Sequence, residues 1–222
     1  MTLLHILAGS LALIAGAMSM FATKGGRLHK QSGNVFVAAM LIMSASATAL
    51  AVLQPKWLSA LAGVLAFYLV CTAWLTVRRP VREIRGLLAG LMGVALAVGA
   101  LLVKLGIDAW GGHGSRGVTD SPGPYFVFGG VALIAACMDA RLLRLGSIAG
   151  PHRLARHLWR MGFAMLMATA SLFLGQTQVF PQPLRNFGLL ALPVLAVALF
   201  MVYWLVHVAR RRHLAVRTPE GA

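Results

Sequence analysis

Apolar residues run along this chain in long blocks broken by short polar punctuation. Seven blocks, at about 3–23, 33–53, 57–77, 86–106, 124–142, 160–180 and 187–208, reach the ~18 residues that mark a membrane-spanning helix. The breaks carry turn and exit signals. Lys24-Gly25-Gly26-Arg27 follows the first block, Arg78-Arg79-Pro80 closes the third, and a Gly-rich outer loop over 105–123 separates the fourth from the fifth. The expected fold is all-α, a polytopic transmembrane bundle of seven spanning helices over residues 1–209 followed by a basic tail at 210–222.

Small and polar residues recur inside the blocks at helical spacing. His5, Gly9, Ala12, Gly16 and Ser19 share one face of the first helix, and Gly86, Gly90, Gly93, Ala97, Ala100 and Lys104 one face of the fourth. His157, Met161, Ala164, Ala168, Ser171, Gly175 and Gln178 do the same in the sixth. Small stripes let helix backbones approach closely in a bilayer, so helices 4 and 6 are expected at the centre of the bundle. Leu11–Ser19 also echoes Val131–Asp139, each ahead of a basic loop, which suggests three helical hairpins and a final helix.

Composition fixes the class. At 59% hydrophobic and 11% charged, the chain has far more apolar surface than a soluble domain of its size can hide. A net charge of +15 would point to nucleic acid in a soluble protein, but the placement of the charge argues otherwise. With seven spans, regions 24–32, 78–85, 141–160 and the C-terminal tail share one side and carry 3, 4, 5 and 4 Lys/Arg. The positive-inside rule then puts the N-terminus outside and the C-terminus in the cytoplasm. Anionic lipid headgroups, and no nucleic acid, are the expected partners of the charge. No Lys or Arg precedes the first block, so it reads as a retained helix and not as a signal peptide. Cys71 and Cys137 both fall inside expected helices, as space-filling thiols.

Several of these stretches together resemble a known family. Lys24-Gly25-Gly26-Arg27-Leu28-His29-Lys30-Gln31-Ser32-Gly33 is similar to the first signature of a bacterial predicted-membrane-protein family, domain of unknown function 2306. Asp139-Ala140-Arg141, Arg153 through Met161, and Ser171 through Gln176 resemble its second, with His157-Leu158-Trp159-Arg160-Met161 the most specific part. The resemblance covers most of the chain. It implies a multi-pass protein of the bacterial cytoplasmic (inner) membrane and no particular activity.

The histidines carry the sharpest chemical reading. A b-type haem needs two imidazoles from different helices in an apolar slot. His29 with His157 or His207 could supply a pair at the inner membrane edge, and His5 with His113 a poorer outer one. Arg27, Arg156 or Arg160 would meet the haem propionates. Electron transfer, with quinone or another redox partner, would follow. The plainer reading has these histidines bonding carbonyls, lipid phosphates or Asp139.

Two further classes remain. Proton-coupled or small-solute transport would use Ser44, Thr48, Lys104, Ser171, Gln176 and Gln178 along a path, with Asp139 or His157 carrying the proton. Asp139 lies two residues before Arg141, and an ion pair locking helix ends is its structural alternative. A non-enzymatic assembly or sensing component has no signature of its own. Intramembrane proteolysis is disfavoured, since Gly-x-Ser-x-Gly, His-Glu-x-x-His and paired aspartates are all missing from the sequence.

Overall fold

The computed structural model describes residues 1–112 and 121–217, the last seven by backbone alone. Its elements are α1 (Thr2–Phe21), α2 (Arg27–Leu53), α3 (Trp57–Arg78), α4 (Arg85–Trp110), α5 (Gly123–Leu145), α6 (Gly150–Phe173) and α7 (Phe187–Arg217), with no strand among the described residues. Six of them, all but α6, are long and apolar enough to cross a membrane. The chain is therefore a multi-pass membrane protein.

The exception, α6, corrects the expected sixth span. It begins at Gly150 and ends at Phe173, not at about 160 and 180. Pro151 in the first turn supplies the fixed φ of a helix start, so the polar stretch His152–Arg160 becomes helical instead of a loop. Gly175 N–H reaches back to Ala170 O at 3.1 Å and closes the helix. Two 3-10 turns follow, Thr177–Val179 and Gln182–Leu184, where Pro181 and Pro183 cannot donate to a continuing ladder. The fourth helix also outruns its expectation, continuing past Gly106 to Trp110 and absorbing part of the expected outer loop. His113, Arg116 and Asp120, the polar residues expected in that loop, lie outside the described residues.

Two compact units emerge, one from Met1–Thr72 with Arg79–Ser147, the other from Ala73–Arg78 with the chain from Ile148 onward. In the first, α1 and α2 form a hairpin on the small face Ala8, Ala12, Ala15 and Gly16, much as the spacing predicts. α3 lies against α2 at Gly63, where an added Cβ would stand 2.4 Å from Thr48 Oγ1 and 3.0 Å from Ser44 O. A tight turn, with Glu83 N–H on Pro80 O and Ile84 N–H on Val81 O, leads into α4. Gly146, at φ +71, caps α5 in the left-handed conformation that glycine adopts without strain.

α4 pairs with α5, but not through its expected seam. Gly86, Gly90 and Gly93 have no atom within 4 Å of an added Cβ, and Ala97 and Ala100 are exposed. The packing face is Ala95, Val98, Gly99, Leu102, Leu105 and Gly106, with Gly99 under Leu133 and Gly106 under Tyr125 and Phe126. Of the six spans α3, not α4, is the most buried. A helix that is apolar on all sides belongs in an interior, and α3 has almost no polar face. The hairpins are therefore α1/α2, α4/α5 and α6/α7, with α3 between the first two, not three successive pairs and a final helix.

In the second unit α6 and α7 run antiparallel, and Gly162 of α6 faces Met201 of α7, whose Cγ would be 2.7 Å from an added Cβ. α7 continues through Pro193 to Arg217.

Candidate functional site

The first unit has a carboxylate in its interior. Asp139, six residues before the end of α5, is 1% exposed, and the Tyr68 hydroxyl of α3 donates to its Oδ2 at 2.5 Å. Tyr68 is itself 1% exposed. Both helices are long and apolar enough to be membrane spans, so a carboxyl group and a phenol are held together in the interior of the unit. A short hydrogen bond to a carboxylate is about twice as strong as a neutral one. Arg141, two residues further along, is exposed on the outside of α5.

Three other hydroxyls of this unit donate to their own helices. Ser44 donates to Met40 O at 2.7 Å, Thr48 to Ser44 O at 2.9 Å and Thr72 to Tyr68 O at 2.7 Å. The expected polar path does not assemble from the other candidates either. Lys104 is exposed and ion-paired with Asp108 one turn on, at 2.7 Å. Ser171 is exposed near the end of α6. Gln176 and Gln178 lie beyond that helix, where Gln178 Nε2 donates to Gln176 Oε1 at 2.5 Å. Of the transport set, only Ser44 and Asp139 are fully buried, and Ser44 is bonded to its own helix.

Two histidines hold the α1/α2 hairpin at its ends. His5 donates from Nδ1 to Met43 O at 3.1 Å, with Ser46 Oγ at 3.3 Å. At the other end, His29 Nδ1 meets both Ser19 O and Ser19 Oγ at 3.0 Å. Lys24 Nζ donates to Ser19 O at 3.2 Å and to Met20 O, so a cation and an imidazole cap the last carbonyls of α1. Burial pushes the Lys24 ammonium below the usual lysine range. His29 sits at the level of Ser19, fourteen residues from His5 along α1, so the two imidazoles are about 21 Å apart, far beyond what one iron could bridge. Arg27 is exposed on the first residue of α2.

The second unit gathers the His157 block on the end of α3. Arg153, Arg156, His157 and Arg160 follow one another at helical spacing on α6. Arg153 donates from Nε to Thr76 O and from Nη2 to Val77 O, each at 2.8 Å. Arg156 Nε donates to Thr76 Oγ1 at 2.9 Å, and His157 Nδ1 to Ala73 O at 3.1 Å. The last carbonyls of a helix lack intrahelical donors and carry partial negative charge, so α6 caps α3 with cations. Arg160, expected at the membrane edge, is fully buried, its guanidinium 5.2 Å from the ring centroid of Trp159. His207 of α7 stacks on Tyr203 at 6.2 Å and meets Trp204 edge-on at 5.4 Å.

Tyr68 and Thr76 are not among the residues the sequence singles out, whereas Arg156 is, as a candidate propionate contact, and Arg153 only as part of the family signature. A signal was present. Tyr68, Thr72 and Thr76 recur every four residues in an otherwise apolar helix, and all three are buried. Among the described residues, no group of three or more His, Cys, Asp or Glu is placed to hold a metal ion.

Residues 2–86 match the family model described as Predicted membrane protein (DUF2306), which includes the Lys24–Gly33 signature but not the His157 block. No curated protein matches the chain. No solved structure matches it either.

Proposed function

We propose that this protein is a proton-coupled membrane carrier in which Asp139 binds and releases the proton and Tyr68 is its hydrogen-bond partner. The carrying observation is the 2.5 Å bond between a fully buried carboxylate and a fully buried phenol inside two membrane spans. An ionisable side chain in a span is expensive to keep, and one that faces the protein interior with a titratable partner is a functional group by default. The charge distribution supports an orientation with the N-terminus outside, and the family resemblance supports a bacterial cytoplasmic membrane.

Carbodiimide labelling tests this directly, because the reagent attacks protonated carboxyls that lie in an apolar setting. The purified protein is expected to be modified at Asp139, and Asp139→Asn to remain unlabelled. In proteoliposomes, D139N should abolish proton movement that the native chain supports. An unlabelled Asp139, or a D139N variant with native flux, would sink the reading.

Haem-linked electron transfer is the second reading. It is favoured by the α6/α7 register, which sets His157 and His207 at about one level, and by the His157 Nδ1 bond to a carbonyl, a common outer-shell bond of ligating imidazoles. It ranks lower because α6 and α7 touch at Gly162 and Met201, and a porphyrin between these two helices would have to part them there. A reduced-minus-oxidised spectrum without a b-type signal would remove it.

A further inference from the structure

We propose that the cationic end of the first unit is a binding surface for anionic phospholipid headgroups. The two hairpins and the tight α3–α4 turn bring the start of α2, the start of α4 and the end of α5 to the same end of this unit. Arg27, Lys30, Arg82, Arg85, Arg141 and Arg144 are gathered there, and all six are exposed.

Three features make this more than a record of how the chain was inserted. First, none of the six is in an ion pair among the described residues, whereas Arg79 is 3.6 Å from Glu83 and Lys104 is 2.7 Å from Asp108. Lys24 is likewise occupied by the carbonyls at the end of α1. The patch therefore consists of the cations left over once the internal partners are used. Second, Arg27 and Arg85 are the first residues of their helices, and Arg141 and Arg144 lie within the last turn or so of α5. Their charges sit where apolar helix gives way to water, at the depth of lipid phosphates, and long side chains reach that layer while their stems stay apolar. Third, like charges gathered at one end of a unit repel one another unless a counter-ion is supplied, and an anionic leaflet supplies one without any further protein. A soluble polyanion would have to lie flat on the bilayer to reach the same groups.

The test uses the full chain in a non-ionic detergent and follows its thermal unfolding. Phosphatidylglycerol added to the micelles should raise the unfolding midpoint by several degrees, and phosphatidylcholine at the same mole fraction should not. The difference should vanish at about 0.5 M salt, where the screening length falls to roughly 4–5 Å. Inorganic phosphate at low salt should have no comparable effect. R82Q/R85Q/R141Q/R144Q should lose most of the response, the matching Arg→Lys variant should keep most of it, and K56Q, which lies outside the patch, should keep all of it. If the fourfold Gln variant does not fold, R27Q/K30Q provides the same test with partial loss expected. Equal stabilisation by the two lipids or by inorganic phosphate, or a full phosphatidylglycerol response in the folded Gln variant, would overturn the proposal.

Discussion

The hydroxyl of Tyr68 donates to Asp139 Oδ2 at 2.5 Å and ties α3 to α5 inside the first unit. Removing that donor alone, in Tyr68→Phe, should destabilise the protein by about 0.5–3 kcal/mol, the range from a neutral to a charge-assisted hydrogen bond. Denaturant titration in micelles, followed by tryptophan fluorescence, would measure it. A loss below a few tenths of a kcal/mol would mean the bond is not made in the bilayer-like state.

The α6 cations on the end of α3 give a second prediction. Arg156→Ala removes a buried donor to Thr76 and should cost about 2–3 kcal/mol, whereas exposed Arg153→Ala should cost about 1 kcal/mol. Hydrogen exchange should accelerate in both variants at residues 73–78 before it does elsewhere in α3. Uniform acceleration along the helix would point to general loosening instead of a lost cap.

Two glycines should respond in opposite directions. Gly63→Ala pushes a methyl to 2.4 Å from Thr48 Oγ1 and 3.0 Å from a backbone carbonyl, so destabilisation of about 1–3 kcal/mol is expected. Gly90→Ala enters open space on α4 and should be neutral or stabilising by up to about 1 kcal/mol through helix propensity. Comparing the two unfolding midpoints would settle the matter. A severe loss in G90A would show that something packs on that face of α4.

Lys24 gives a pH dependence whose sign is fixed. Burial lowers its pKa in the folded chain below the ordinary 10.5. Between the lowered value and 10.5 the unfolded chain binds more protons than the folded one, so stability at this site rises with pH across that window. Below the window both states are protonated and the burial penalty stands in full. The native chain should therefore gain on Lys24→Gln as pH climbs from neutral to 10.5, measured as the difference in unfolding midpoints. A constant difference would show that Lys24 titrates alike in both states.

Helix positions were readable because twenty apolar residues in a row admit little else, and α1 through α5 fall close to where the blocks put them. The errors came where charge and helix coincide. Arg153, Arg156 and Arg160 looked like loop residues because apolar length was the measure, yet all three are helical and the last two are buried. Spacing alone also could not rank the glycine stripes. Gly86, Gly90 and Gly93 are as regular as Gly99 and Gly106, but only contact with α5 distinguishes them. Asp139 was visible as a costly residue; its partner Tyr68 was not, since no local rule links positions 71 residues apart.

The last turn of α3 has a history in time as well as a place in space. Its carbonyls at Thr76 and Val77 receive their donors from Arg153, 77 and 76 residues later in the chain. During synthesis that turn enters the bilayer long before α6 exists. Until then the carbonyls of Thr76 and Val77 lack the Arg153 donors. A nascent chain stopped after α5 should therefore carry an α3 that frays at Ala73–Arg78, and completion of α6 acts as a checkpoint on a helix laid down much earlier.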